Sequence, residues 1–272
     1  STPLGKRYLK YLIHNPSTDI NFIEKNYELI DEFIEKNGIT KTEKLLNEVI
    51  DIERIHRKMS INKLHPYEFL NLHYTYDNIV NIIENIQNDF DLNNYHFSIN
   101  EYEEFKNYIK YYQKYLDINE CGKYGLLNIY GSFFNKGIYE EIDDIQNNID
   151  EIYNFFQNKM KELSNFIEKD SDFVKMENND RDGYFLYTTQ KRSKILFENL
   201  NKDNNYKDKY NSKKYTTTNI KIVNDELSKM SNLLVNYKEK IKVITKEKYI
   251  EFLNETFKKY SHLFESLSKF II

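Results

Sequence analysis

The 272-residue sequence has no tryptophan and no alanine, a single cysteine, three prolines and seven glycines. Each shortage excludes something. Cys121 alone leaves no partner for a disulfide framework and no set of thiolates for a structural zinc site. Scarce helix breakers leave room for long helices. No apolar run approaches the roughly 20 residues of a membrane-spanning helix, and the mean hydropathy is −0.76. No charged n-region precedes an apolar h-region, so no secretory signal is visible. The chain begins Ser1-Thr2-Pro3, without an initiator Met, and stops at Ile272. The expectation is a piece of something longer.

What is abundant is Asn, Lys, Ile, 24 Tyr and 18 Phe. That bias is the signature of AT-rich coding, so composition reports partly on DNA and partly on physics. Thr2 and Pro3 form a helix start, cap and first helical position, ahead of a stripe through Leu4, Tyr8, Leu9 and Leu12. Ser17 or Thr18 caps a second helix with Ile20, Ile23, Tyr27, Ile30, Phe33 and Ile34 on one side. A third runs from about Thr42 to Met59, a fourth opens at His65-Pro66, and a fifth spans about Ile99 to Ile118. Asn119 to Gly137 holds four of the seven glycines and reads as loop.

Beyond that loop the pattern lengthens. A near-heptad seam from Tyr139 to about Phe166 and a second from Leu227 to Leu267 predict two long helices, the first about 42 Å and the second up to about 60 Å. The second loses phase between Ile244 and Ile250, where a bend would fit. Between them, Gly183–Thr189 and Tyr215–Val223 are rich in aromatic and β-branched residues, as strands prefer. Asn201 to Ser212 reads as loop. The fold class is mainly α: a helical body with a long antiparallel helical arm carrying a small β-rich tip.

The net charge of −4 argues mildly against a polyanion partner, but it is an average. Residues 183–222 hold nine bases and three acids, a net of +6, so the remainder carries −10. Such a tip favours a polyanion and the body disfavours one. Lysines also populate ordinary solvated loops, and charge alone does not decide between the two.

Sequence motifs carry more. Asp51-Ile52-Glu53-Arg54 resembles the D-[LIV]-E-R segment in the core, or lever, domain of MutS mismatch-repair ATPases. Thr2-Pro3-Leu4-Gly5-Lys6-Arg7-Tyr8-Leu9 looks like that domain's T-x-x-G-x-R-x-L opening, and His65-Pro66 through Leu72 like its P-x-x-L-x-x-L helix start. Tyr139-Glu140-Glu141-Ile142-Asp143 is similar to the Y-x-x-E-L-D of the descending lever helix. Gly183-Tyr184-Phe185-Leu186 resembles the G-Y-Y-[IL] clamp strand, and Lys221 through Leu227 the K-F-T-x-x-x-L that enters the ascending helix. Six stretches fall in family order across nearly the whole chain.

The resemblance implies a lever (core, domain III) over residues 1–137, a clamp (domain IV) over 138–231, and a lever return helix over 232–272. It implies non-specific contact of the clamp with the phosphate backbone of double-stranded DNA. In the full-length protein it implies coupling to an ATPase that uses ATP and Mg, assembly as a homo- or heterodimer, and an intracellular location wherever the DNA is. The family's clamp loop falls on Thr189, Gln190, Lys191 and Arg192, the leading DNA-contact candidates. Lys194, Lys213, Lys214 and Lys221 join them on charge and position, and Arg181 from the turn before the strand. The competing reading is a structural protein whose helical arm mediates assembly, with no DNA role.

Other chemistry is missing. No G-x-x-x-x-G-K-[ST] occurs, so no ATPase and no cofactor is expected in this piece. The family's F-x-E wedge letters recur at Phe22-Ile23-Glu24, Phe33-Ile34-Glu35 and Phe166-Ile167-Glu168, where they read as helix residues. The six histidines form no H-E-x-x-H, and no catalytic constellation or metal site is predicted. Asp51 and Glu53 are expected to form ion pairs with Arg54 or Arg57.

Overall fold

The computed structural model describes residues 2–272 and divides into two compact units. The first comprises the chain up to Ile129, with Phe133–Ile138 and Thr245–Ile272. It holds α1 (Pro3–His14), α2 (Ile20–Glu35), α3 (Gly38–Glu48), α4 (Ile52–Ser60), α5 (Pro66–Ile86), α6 (Ile99–Tyr115), the short α7 (Ile118–Cys121) and the last part of α10 (Asp225–Ile271).

Local chemistry sets the helix starts. Thr2 Oγ1 accepts the Gly5 amide at 2.9 Å with Pro3 beside it. Ser98 and Glu101 cap α6 reciprocally: the Glu101 amide donates to Ser98 Oγ and the Ser98 amide to Glu101 Oε2. The cap of α2 is Asp19, which accepts the Asn21 amide at 3.0 Å, and not Ser17 or Thr18.

The single helix expected over Thr42–Met59 is two. Val49 leaves helical geometry at φ −73°, ψ 118°, and Asp51 restarts the chain by accepting the Arg54 amide at 3.2 Å. Val49, Ile52 and Ile55 are buried on both sides of the break, so the apolar spacing runs through it unaltered. The glycine-rich stretch is not all loop, since α7 occupies part of it and a β-bridge joins Leu116 to Phe134.

Without Trp or Ala, this core is built from Ile, Leu, Phe and buried Tyr. Tyr76 meets Phe105 edge-on at 5.1 Å and Tyr108 at 5.7 Å. Tyr108 packs on Tyr260 of α10 at 4.7 Å. Such offset and edge-on pairs add about 0.5–1.5 kcal/mol each beyond area burial.

The second unit comprises Tyr130–Ser132 and Tyr139–Ile244. Its α8 (Glu140–Asn165) starts on Glu140, Glu141 and Asp143, acids placed at the positive end of the helix dipole. Here α8 and the first part of α10 run antiparallel. Lys159 Nζ, late in α8, lies 3.9 Å from Glu226 at the start of α10, while Lys238 sits over the Tyr153 ring at 5.1 Å. Ile142, Ile145, Ile149, Ile152, Phe156 and Leu163 bury the seam of α8, as Leu227, Leu234 and Ile241 do on α10.

Between these helices stands a four-stranded antiparallel sheet in the order β1-β2-β4-β3, with β1 at Lys175–Asn179, β2 at Gly183–Thr189, β3 at Asn211–Lys214 and β4 at Asn219–Val223. The 13-residue α9 (Gln190–Lys202) follows β2 and lies against β2 and β4. Two expectations change. The run Tyr215–Val223 is a turn followed by β4, and β3 takes up the end of the presumed loop. The Phe166-Ile167-Glu168 letters fall just past α8, with Phe166 as its C-cap, whereas the other two copies lie within α2.

The helix α10 is one uninterrupted element over Asp225–Ile271, so the loss of apolar phase between Ile244 and Ile250 does not end it. Thr245, Tyr249 and Thr256 are fully buried and fill the positions where no aliphatic residue appears. The seam keeps its phase through polar letters.

Candidate nucleic-acid interface

The expected contact loop at Thr189–Arg192 is not a loop. Thr189 ends β2 and caps α9, its Oγ1 facing the Arg192 amide at 3.5 Å, and Gln190, Lys191 and Arg192 form the first turn of that helix. The amphipathic pattern there is brief: Ser193, Leu196 and Leu200 are buried, which turns Lys191 and Lys194 to solvent.

Sheet register places the rest. Thr189 lies opposite Asn219, and the Gln190 amide donates to the Thr218 carbonyl at 2.8 Å. The start of α9 therefore adjoins the β3–β4 turn. Thr216 Oγ1 closes that turn by accepting the Asn219 amide at 3.0 Å, and Thr216, Thr217 and Thr218 are exposed. Lys214 pairs with Ile220 and Lys213 with Lys221, so both exposed lysines of the β3 edge sit within two rows of the Thr189 end. Thr189, Gln190, Lys191, Lys194, Lys213 and Lys214 thus gather at one end of the sheet.

Three candidates are placed differently. Arg181 is exposed in the β1–β2 turn at the opposite end of β2, about 20 Å away at 3.3 Å per residue. Arg192 lays its guanidinium over the Phe173 ring at 3.6 Å. Lys221 is largely covered, with Nζ 3.5 Å from Asp182 Oδ1 and 4.4 Å above the Phe185 ring. These last two are cations already in use.

Sequence reading missed Lys175. It lies on β1 in one cross-strand row with Tyr187, Lys221 and Lys213, on the sheet face that also carries Phe185 and Tyr215. Phe185 meets Tyr215 edge-on at 4.9 Å, and the Tyr215 hydroxyl donates to Glu177 at 2.9 Å. The strand Lys175-Met176-Glu177-Asn178-Asn179 has no alternating apolar pattern that could have revealed it.

Gly183 explains its own place in the strand motif. Its φ is +62°, and a Cβ there would stand 2.7 Å from Ser231 Oγ, the atom that accepts the Tyr184 amide at 2.8 Å. Only a residue without a side chain fits.

The motif residues of the first unit meet as well, with a different partner from the one expected. Asp51 and Glu53 both pair with Arg7 of the T-x-x-G-x-R opening, and not with Arg54 or Arg57. His56 is buried, stacked on Phe264 at 4.1 Å and 2.6 Å from the Tyr76 hydroxyl, which makes it a packing residue. Burial pushes its ring down to about 3. Burial likewise raises the Cys121 thiol well above its ordinary range, so it is a poor nucleophile. Among the described residues no group of three or more His, Cys, Asp or Glu could hold a metal ion. Among the described residues no helix is long and apolar enough to cross a membrane.

A helical module that presents a basic sheet-and-helix unit between two long antiparallel helices is the class these features define. The chain belongs to the MutS family of DNA mismatch repair proteins: the family model for MutS domain III matches residues 1–272. A mutS homologue of Acanthamoeba polyphaga mimivirus is 27% identical over 299 positions, covering all of this chain and 26% of that protein. The DNA mismatch repair protein MutS of Acholeplasma laidlawii is 23% identical, covering all of this chain and 30% of that protein. That of Fervidobacterium nodosum is 23% identical over 94% of this chain and 29% of its own length. The chain therefore spans between a quarter and a third of these relatives.

Proposed function

We propose that the sheet-and-helix unit acts as a clamp that holds the phosphate backbone of duplex DNA without reading its sequence. One observation carries this. Lys191, Lys194, Lys213 and Lys214 are exposed at one end of the sheet, and among the described residues none of them is in an ion pair. Beside them stand the hydroxyls of the threonine turn and the Gln190 amide group. Lysine, threonine and glutamine are side chains that bond phosphate oxygens and fix position without carrying sequence information. The −10 on the residues outside 183–222 keeps DNA away from the rest of the chain.

The wider role rests on family membership. In a full-length protein the helical body would act as the lever, linking this clamp to an ATPase that binds ATP and Mg. Two clamps, in a homo- or heterodimer, would enclose the duplex wherever in the cell the DNA is kept. Residues 1–272 contain no G-x-x-x-x-G-K-[ST] and no metal-holding cluster among those described, so no step of nucleotide hydrolysis is assigned to them.

The test is binding of the chain to a fluorescent duplex over a salt series. The expected result is log K falling linearly with log[salt], at similar affinity for unrelated sequences. Lys191→Glu with Lys194→Glu should weaken binding uniformly and flatten that slope. An unchanged slope in the double variant would remove these residues from the interface. A chain that shows no salt-sensitive binding at all, yet self-associates through its helical arm, would support a structural role instead.

A further inference from the structure

The second helix leaves its best apolar face in water. No residue of α2 is buried, although it is flanked on one side by the rest of its unit. Phe33 holds it there, its ring 5.3 Å from Phe90 and 6.3 Å from Tyr95. A second stripe runs Ile20, Ile23, Tyr27, Ile30 and Ile34, the alternating three-and-four spacing of a coiled-coil seam. Four of its five residues face outward: Ile20 is 68% exposed, Tyr27 65%, Ile30 53% and Ile34 56%, while Ile23 is half-buried. Isolated exposed apolar residues need no explanation, but a contiguous row of this kind marks a contact surface.

The charge beside the stripe specifies the occupant. Glu24, Glu28, Asp31 and Glu35 repeat at the same spacing one position further round the helix, forming an acidic border. All four are exposed, and among the described residues none is in an ion pair. The one lysine within α2, Lys25, lies on another face. A second copy of α2 would set acid against acid along this border. A helix with an apolar seam flanked by lysine or arginine would be complementary in both respects.

We propose that the outer face of α2 is a docking seam for an amphipathic α-helix with a basic flank. The seam positions supply knob-into-hole packing, and the acidic border sets orientation and excludes acidic helices.

The probe is a synthetic three-heptad peptide with leucine at its seam positions and lysine on both flanks, paired with a version carrying glutamate on the flanks. Binding of each to the full 272-residue chain is followed by fluorescence anisotropy. The lysine peptide should bind, and the glutamate peptide should bind at least about tenfold more weakly. Ile30→Glu supplies the decisive control, because it adds negative charge while spoiling the seam. Seam docking requires that this variant lose the lysine peptide; simple charge attraction requires that it bind more tightly, and that outcome overturns the proposal. Failure of the lysine peptide to bind, or equal binding of both peptides, also overturns it. So does concentration-dependent self-association abolished by Ile30→Glu, which assigns the face to a second copy. The exposed position of Ile30 keeps the fold intact, and an unchanged helical circular dichroism signal verifies it.

Discussion

Arg7 and Asp51, 44 positions apart, are joined by paired hydrogen bonds, with Arg7 Nη2 reaching Asp51 Oδ1 at 3.0 Å and Glu53 Oε2 at 2.7 Å. The contact ties α1 to the start of α4, where Asp51 also accepts the Arg54 amide. Two sequence motifs that look unrelated in the chain thus form one device. Asp51→Ala removes cap and ion pair together and should cost roughly 1–2 kcal/mol, most of it from the cap because the Arg7 side chain is half exposed. Asp51→Asn keeps a capping oxygen and should cost less. The Arg7 hydrogen bond, working against partial burial, holds the Asp51 carboxyl below its ordinary range. A lowered folded value means that this stabilisation is present above the ordinary carboxylate pKa of about 3.9 and is lost as pH falls further. Urea titrations of the wild type and Asp51→Asn below pH 5 check it: the variant should show the shallower decline.

Gly183 and Ser231 make a prediction about backbone. With φ at +62° and Ser231 Oγ in the way, Gly183→Ala should destabilise by more than about 1 kcal/mol, where an ordinary glycine-to-alanine change would be mild or favourable. Ser231→Ala removes the clash but also the acceptor of the Tyr184 amide. The double variant should therefore recover only part of the loss. Chemical unfolding of the two single variants and the pair measures the coupling.

His56 predicts a second pH dependence. Burial holds its ring at about 3, below the ordinary value of about 6.5, so the unfolded chain takes up the proton first. Stability should then fall by about 1.4 kcal/mol per pH unit as pH drops below about 6.5, until the folded ring itself titrates. Carboxylates such as Asp51 contribute only at lower pH, which leaves a window between about 4.5 and 6 to His56. His56→Phe preserves the stacking on Phe264 but removes the ring nitrogen that meets the Tyr76 hydroxyl. Loss of the ring nitrogen beside the Tyr76 hydroxyl should lower stability at neutral pH, and the profile across that window should be flatter. An equal slope in wild type and variant would exclude His56 as the source.

Where apolar residues alone define an element, the sequence is legible. The seams of α5, α8 and the first part of α10 are buried as their spacing requires, and Gly183–Thr189 is a strand. Legibility fails where polar residues do structural work. Thr245, Tyr249 and Thr256 fill the seam of α10, and their letters look like an interruption. Asp51 breaks a helix whose apolar spacing continues unbroken. The strand Lys175–Asn179 is held by backbone pairing to β2, and nothing in its side chains advertises it. For the interface, the charge bias of residues 183–222 was visible and its geometry was not. Whether a lysine is free or neutralised depends on Asp182 and Phe185, which only folding brings to Lys221.

That distinction separates two lysines that face each other across one strand pair. Lys213 and Lys221 are directly opposed in the β3–β4 ladder, yet Lys213 is exposed and Lys221 is covered. Lys221→Gln gives up the Asp182 pairing and the contact with Phe185, so it should lower stability by about 1 kcal/mol while leaving the salt dependence of DNA binding nearly unchanged. Lys213→Gln and Lys214→Gln lie on an exposed edge and should alter stability by no more than about 0.5 kcal/mol. Each should instead reduce the slope of log K against log[salt] by about 0.9 if it neutralises one phosphate. The two effects are read independently, by urea unfolding and by anisotropy over a salt series. A Lys221→Gln variant whose slope drops as far as that of Lys214→Gln would mean that Lys221 leaves Asp182 when DNA binds.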